Sequence, residues 1–227
     1  MGTRHATRAC GRVSTLPRAK WRELPAPVYF QWELETPTTF MSLTYSVEEK
    51  LLTELTEADR AEAAALSAIV YPPEVIAGIT FPKSAPPPQI DWQPAQAGRR
   101  FAIRHEGQLA AVCRIIPRRI QTTHGALDVL GLAGVMTRPE LRLRGFGAKV
   151  VRAAFSHVDN GAFTAALFQT RVPEFYETLG CRRVENVFVN SFAENPSGTP
   201  WWDLHHMIYP ASYQWTEGLV DLLGPAW

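Results

Sequence analysis

The chain has 227 residues, with 23 Lys plus Arg against 22 Asp plus Glu and a hydrophobic content of 46%. That length suggests one domain with an elaboration, the apolar fraction suffices for a buried core, and near-neutral charge excludes the basic excess of a general nucleic-acid binder. The three cysteines, Cys10, Cys113 and Cys181, lack the spacing of a disulfide framework or a zinc cluster and point to a reducing, cytoplasmic setting, and no run of ~18 apolar residues predicts a membrane span.

Residues 1–22 carry Arg4, Arg8, Arg12, Arg18, Lys20 and Arg22, no acid, and no apolar run of the secretory kind. The sequence therefore divides into a flexible Arg-rich leader, 1–40, with a transit peptide as the alternative reading, and a domain over 41–227. Thr56 is placed to cap a helix running through Glu57, Ala61, Ala64, Leu66 and Ile69 and stopped by Pro72 and Pro73. From Tyr71 to Gly98, seven prolines and apolar Ile79, Phe81, Ile90 and Trp92 predict a long loop anchored by aromatics, with the length of a lid.

Arg100 to His105 and Gln108 to Ile116 alternate about a Glu106–Gly107 turn, a hairpin pattern that Pro117 is expected to break or bulge. A third, largely apolar strand follows over Ala126 to Val135. The spacing then predicts a helix from Gly145 to Val158, a short strand from Phe163 to Phe168, and a short helix opened by Pro173 and closed by Gly180. Val184 to Phe192 reads as one strand and His206 to Tyr209 as another. Together these give an α/β (α+β) chain with a mixed sheet, without internal repeats.

The segment with chemical content is GVMTRPELRLRGFGAKVV, from Gly134. A glycine pair between a strand and a helix suits phosphate binding, since glycine lets backbone N–H groups approach an anion and the helix N-terminus adds positive potential. The phosphate loop of nucleotide hydrolases is excluded, because Gly147 is followed by Ala148, Lys149 and Val150 rather than by Lys and Ser or Thr. The dinucleotide fingerprint is excluded too: Val150 stands where its third Gly or Ala belongs, and the glycines lie too far past the strand.

Arg142, two residues, Gly145, one residue, Gly147, preceded by Val135, Thr137 and Pro139, closely resembles the coenzyme A pyrophosphate loop of the GNAT superfamily of N-acetyltransferases. Residues 167–181, LFQTRVPEFYETLGC, resemble the second cofactor motif of that family at Phe175, Tyr176 and Gly180. The resemblance spans roughly 100–192 and implies a mixed, splayed β-sheet flanked by helices, with acetyl-CoA as co-substrate and no metal. It implies that the amides of Arg142, Leu143, Arg144, Gly145, Phe146, Gly147 and Ala148 hold the pyrophosphate. Val135, Met136 and Thr137 would pair with the pantetheine arm, Gln169 and Phe175 would complete the cofactor site, and Tyr176 would be the general acid. A phenol of pKa ~10 can protonate a departing thiolate whose conjugate acid is near ~8.5.

Family members often carry a Glu just before the Gly-Val that leads into this loop, whereas this sequence has Ala133. Asp128, His124 and His105 are then candidate bases, and attack by an already neutral amine needs none. The closing GLVDLLGPAW is loosely similar to the C-terminus of aminoglycoside 2'-N-acetyltransferases, which would put Asp221 and Trp227 in the acceptor pocket. The implied activity is acetyl transfer to a primary amine of a small molecule. Its alternatives are a catalytically silent acyl-CoA sensor and, as in the similar nodulation acyltransferases, transfer of a longer acyl chain. A small-molecule amine is the expected partner, with no nucleic acid or membrane, and a homodimer is compatible with this reading.

Overall fold

The computed structural model describes residues 45–227 except 78 and 197; the leader expected over 1–40, with Cys10, lies outside them. In chain order the elements are β1 (Glu48–Leu51), α1 (Glu57–Val70), α2 (Pro73–Ile76), β2 (Arg99–His105), β3 (Gln108–Thr122), β4 (Gly125–Thr137), α3 (Phe146–Asp159), β5 (Ala165–Thr170), α4 (Pro173–Glu177), β6 (Arg182–Val184), β7 (Val187–Val189), β8 (His205–Tyr209) and β9 (Leu219–Asp221). The strands form one mixed sheet ordered β1-β2-β3-β4-β5-β8-β6, with β9 joined to β3 and to β7.

α1 begins where the sequence predicts. The Thr56 hydroxyl accepts from the Asp59 amide at 3.1 Å while the Asp59 carboxylate accepts from the Thr56 amide at 3.0 Å, so two otherwise orphaned donors are satisfied reciprocally. Its Leu66 packs on Ala102, Leu109, Val112 and Met136, on one face of the sheet. The other face is covered by α3, whose Val150, Val151, Ala154, Phe155 and Val158 meet Phe101, Ile103, Ile115 and Phe168. These α3 positions recur at helical spacing, which is why the helix is legible from sequence.

The expected break at Pro117 does not occur. Pro117 sits inside β3 opposite Leu130, two residues beyond the last β2 pairing at Ile115. One flank of the strand is therefore open there, and a residue without an N–H costs the ladder nothing on that side. The strand expected over Val184 to Phe192 is two strands: β6 pairs with β8, and β7 runs parallel to β9. Between them the Asn186 side chain donates to the Thr216 and Gly218 carbonyls and accepts from the Trp215 indole at 2.7 Å, turning the chain toward the tail.

Two irregularities position the site. β4 and β5 are parallel and pair at three places, Val129 with Ala165, Leu130 with Ala166 and Gly131 with Leu167. Past Gly131, β4 continues to Thr137 and β5 to Thr170 without pairing to each other, so the sheet splays. In the same stretch the β3–β4 register shifts between Val112 and Arg114, and Gly134 adopts φ +57°, a left-handed conformation open to glycine at little cost. Among the described residues, no helix is long and apolar enough to cross a membrane.

Candidate active site

The loop from β4 into α3 is built to present amides. Gly145 caps α3 with φ +80°, and Leu143, fully exposed, also adopts a positive φ of 63°. The Arg142 amide donates to the Pro139 carbonyl and the Lys149 amide to the Gly145 carbonyl. Between these two, the amides of residues 143–148 have no acceptor among the described residues. Six consecutive free N–H groups at the positive end of a 14-residue helix form an anion cradle. Arg142 and Arg144 are exposed beside it, and Phe146, 2% exposed, anchors the first turn in the core.

Close approach ties this loop to the other predicted segments. A Cβ at Gly147 would lie 2.9 Å from Thr137 Oγ1 and 3.7 Å from the Phe175 ring, so the end of β4, the start of α3 and α4 meet at one glycine. Met136 is buried against α1 and has only its backbone to offer the cleft, whereas Val135 is half-buried. The Val135 carbonyl accepts from the Tyr71 hydroxyl at 3.4 Å, which brings the C-terminal end of α1 over the splay.

Tyr176 is 5% exposed, its ring 4.6 Å from that of Phe168 and 4.9 Å from that of Phe175. Its hydroxyl has no hydrogen-bond partner among the described residues. Burial first, and then the neighbouring Cys113, Tyr71, Cys181 and Asp203, push its pKa well above the usual phenol value. The group therefore stays protonated, as a proton donor must.

The tail occupies the root of the splay. The Trp227 indole donates to the Leu167 carbonyl at 3.0 Å, lies edge-on to Trp201 at 5.0 Å and under the Arg118 guanidinium at 4.8 Å. Asp221 has a different employment from the one its C-terminal resemblance suggests: Oδ1 accepts from the Ser191 amide at 3.0 Å and the Leu223 amide at 2.9 Å, so it organises the β9 turn. The Gln169 side chain is also engaged at both ends, accepting from the amides of Trp202 and Asp203 and donating to the Trp227 carbonyl. It holds the tail, with one Nε2 proton uncommitted among the described residues.

None of the candidate bases reaches the splay. Asp128 is clasped by Arg119 at 2.6 and 2.7 Å and lies about 30 Å along β4 from Thr137 at ~3.3 Å per residue. His124 is exposed in the β3–β4 turn, and His105 shares a hydrogen bond with Tyr45 at 2.8 Å, its ring 5.8 Å from that of Phe146. Ala133 is buried, 5% exposed. Sequence reasoning missed three residues at the mouth: Tyr71, Arg171 and Asp203. The signal for Tyr71 was an aromatic at a helix end before a Pro pair; for the other two there was none, because their meeting depends on how the tail returns to β5. Beside Trp202 opens a cleft of about 600 Å³ whose lining includes Phe81, Ser84, Asn190 and Ala226.

The profile of the Acetyltransferase (GNAT) domain matches residues 52–184. No curated protein matches the chain significantly. Among solved structures, the chain is similar to a GCN5-related N-acetyltransferase from Kribbella flavida, at 15% identity and a TM-score of 0.43, over 62% of this chain and 34% of that one. The chain thus spans about a third of the length of that protein. It is also similar to Escherichia coli ElaA, at 13% identity and a TM-score of 0.45, over 73% and 99% of the two chains. A third similar structure is the GNAT family N-acetyltransferase YhbS of Escherichia coli in complex with CoA, at 12% identity and a TM-score of 0.48, over 84% and 93%.

Proposed function

Since the chain belongs to the GNAT acetyltransferase family, we propose that it transfers the acetyl group of acetyl-CoA to a primary amine of a small molecule, directly and within a ternary complex. The observation that carries this reading is the cradle of amides at residues 143–148 without an acceptor among the described residues, opening beside the end of β4 that β5 leaves unpaired on one side. The pyrophosphate would be held by these amides and the exposed Arg142 and Arg144. The pantetheine arm would add to β4 past Gly131 as a short strand, leading the thioester toward Tyr176.

Attack by the amine breaks the thioester C–S bond, and the protonated Tyr176 phenol hydrogen-bonds and then protonates the sulfur as it leaves. A covalent acyl-cysteine route has little support. Burial pushes the Cys181 thiol up to about 12 and that of Cys113 further still, and a thiol is a nucleophile through its thiolate.

The test is release of free CoA thiol from acetyl-CoA across a panel of primary amines. Transfer to at least one amine supports the reading. CoA binding without transfer across a broad panel would instead support an acyl-CoA sensor, a reading favoured by Ala133 standing where a base is expected. Comparing acetyl-CoA with long-chain donors separates the third alternative; Trp227 at the root of the splay favours the short donor.

A further inference from the structure

We propose that Asp203 binds the ammonium of the acceptor and takes its proton, for primary amines carried on a largely apolar body. This rests on the acetyltransfer reading above and supplies the base that β4 lacks.

Asp203 is positioned by three fixed contacts. Gln169 Oε1 accepts from both the Trp202 amide at 3.0 Å and the Asp203 amide at 2.9 Å, which ties this segment to the end of β5, where Thr170 pairs with His205. Arg171 Nε holds Asp203 Oδ1 at 2.6 Å. Oδ2 has no hydrogen-bond partner among the described residues, and the side chain is only 17% exposed. One oxygen is thus anchored and the other open, in a place dry enough for an ion pair to count.

Arg171 directly follows Thr170, the last residue of β5, so the carboxylate it holds stands at the β5 side of the mouth of the splay. Burial first, with the Asp203 charge as a smaller contribution, raises the pKa of both Tyr71 and Tyr176, the one bonded to the Val135 carbonyl and the other set to meet the leaving sulfur. The charged and titratable groups around it include Arg171, Tyr71, Tyr176, His205 and His206, and burial depresses His206 to about 4, which leaves that imidazole neutral. Trp202, the preceding residue, packs edge-on against Phe81 at 5.2 Å and lines the cleft of about 600 Å³. An apolar body lodged there would carry its amine toward Asp203.

The proton balance is as follows. The ammonium gives one proton to Asp203, and the freed lone pair attacks the thioester carbonyl carbon. The C–S bond then breaks, the sulfur takes a proton from Tyr176, and the nitrogen sheds its second proton to restore the phenol. Asp203 returns its proton to water, so one proton is released for each amide and each CoA thiol formed.

The experiment uses the full chain saturated with CoA, with phenethylamine as probe and 2-phenylethanol as its uncharged counterpart, both titrated at up to millimolar concentration. Phenethylamine is expected to bind and 2-phenylethanol not. In Asp203→Asn, which still accepts from Arg171 and keeps its backbone amide, amine affinity should fall about tenfold or more, the loss of a charge-assisted contact. With acetyl-CoA, kcat/KM for phenethylamine should fall ~10²-fold, and Asp203→Glu should recover much of both. Stabilisation by CoA should be the same in all three proteins. Unchanged amine binding in Asp203→Asn, or no phenethylamine binding to a wild-type protein that CoA does stabilise, overturns the assignment of Asp203 alone. Absence of stabilisation by CoA would instead remove the acetyltransfer reading beneath it.

Discussion

Trp227 occupies the space that a side chain at Gly131 would need: a Cβ at Gly131 would lie 2.6 Å from the indole nitrogen and 2.8 Å from the Ile116 carbonyl oxygen. Gly131 is also the last β4 residue that pairs with β5, so the indole marks the point from which the two strands part. Trp227→Ala is expected to cost about 3–5 kcal/mol of unfolding free energy, the range for removing a buried aromatic. Gly131→Ala should cost about 1–3 kcal/mol by overpacking. The double variant should be more stable than the sum of the two losses predicts, because the indole's share of the clash disappears with it and only the Ile116 carbonyl remains to be relieved. Urea unfolding of the four proteins measures all three quantities.

Tyr176 is expected to act through its proton and not its bulk. Tyr176→Phe keeps the ring against Phe168 and Phe175, so stability should change by no more than about 1 kcal/mol, whereas kcat should fall ~10²-fold. Its raised pKa means the acid form persists beyond the ~10 of an ordinary phenol. The wild-type rate should therefore show no alkaline loss from this group below pH ~10, and a pH profile of kcat for both proteins checks it.

The sequence exposed those parts of the site in which local chemistry and backbone demand coincide. Gly145 sits at φ +80° and Gly147 meets Thr137 and Phe175; both are positions where a glycine is needed, and a glycine pair between a strand and a helix can be read directly. α1 and α3 were legible because a capping threonine before a Pro-terminated run and a helical stripe are local signals. The mouth of the splay was hidden, since Asp203 reaches it through Gln169 and Arg171, 34 and 32 residues earlier in the chain. The short β1 and β9 were hidden for a similar reason: Glu48–Leu51 and Leu219–Asp221 are strands by partnership, not by pattern. Asp221 looked like a ligand because acidic residues near a C-terminus were compared with a similar family, and backbone amides claim it instead.

Asp59 joins β1, α1 and β2 and should dominate the acid limb of stability. Its carboxylate accepts from the Thr56 amide and hydroxyl, from Lys50 and, at 2.7 Å, from Arg100, and Arg100 is 3% exposed. The Thr56 amide first, and then the Thr56 hydroxyl, Lys50 and Arg100, hold the Asp59 pKa well below the usual carboxylate range, against the opposing effect of burial. A depressed folded-state pKa adds stability that is fully present above the unfolded value of ~3.9 and is lost as pH falls toward the folded one. The urea midpoint of the wild type should therefore drop on acidification below about pH 4. Asp59→Asn should start lower at neutral pH and decline less steeply. Parallel acid limbs in the two proteins would show that this carboxylate is not the group responsible.

The central claim is that the amides of residues 143–148 hold the pyrophosphate of coenzyme A. The most direct measurement is thermal unfolding with and without CoA, for the wild type and for Gly145→Val. A ligand that binds only the folded state adds RT ln(1 + [L]/Kd), about 2.7 kcal/mol at a hundredfold excess over Kd, which corresponds to a rise of several degrees in Tm. Dephospho-CoA should keep much of that rise and adenosine almost none. A Cβ at 145 meets no neighbour within 4 Å and Gly145 is exposed, so the substitution leaves the core untouched. It is strained at φ +80° and sets a branched side chain where the phosphates approach, so the CoA-dependent shift should vanish while the variant still unfolds cooperatively. A wild type that CoA fails to stabilise at millimolar concentration, or a Gly145→Val variant that responds as the wild type does, would contradict the claim.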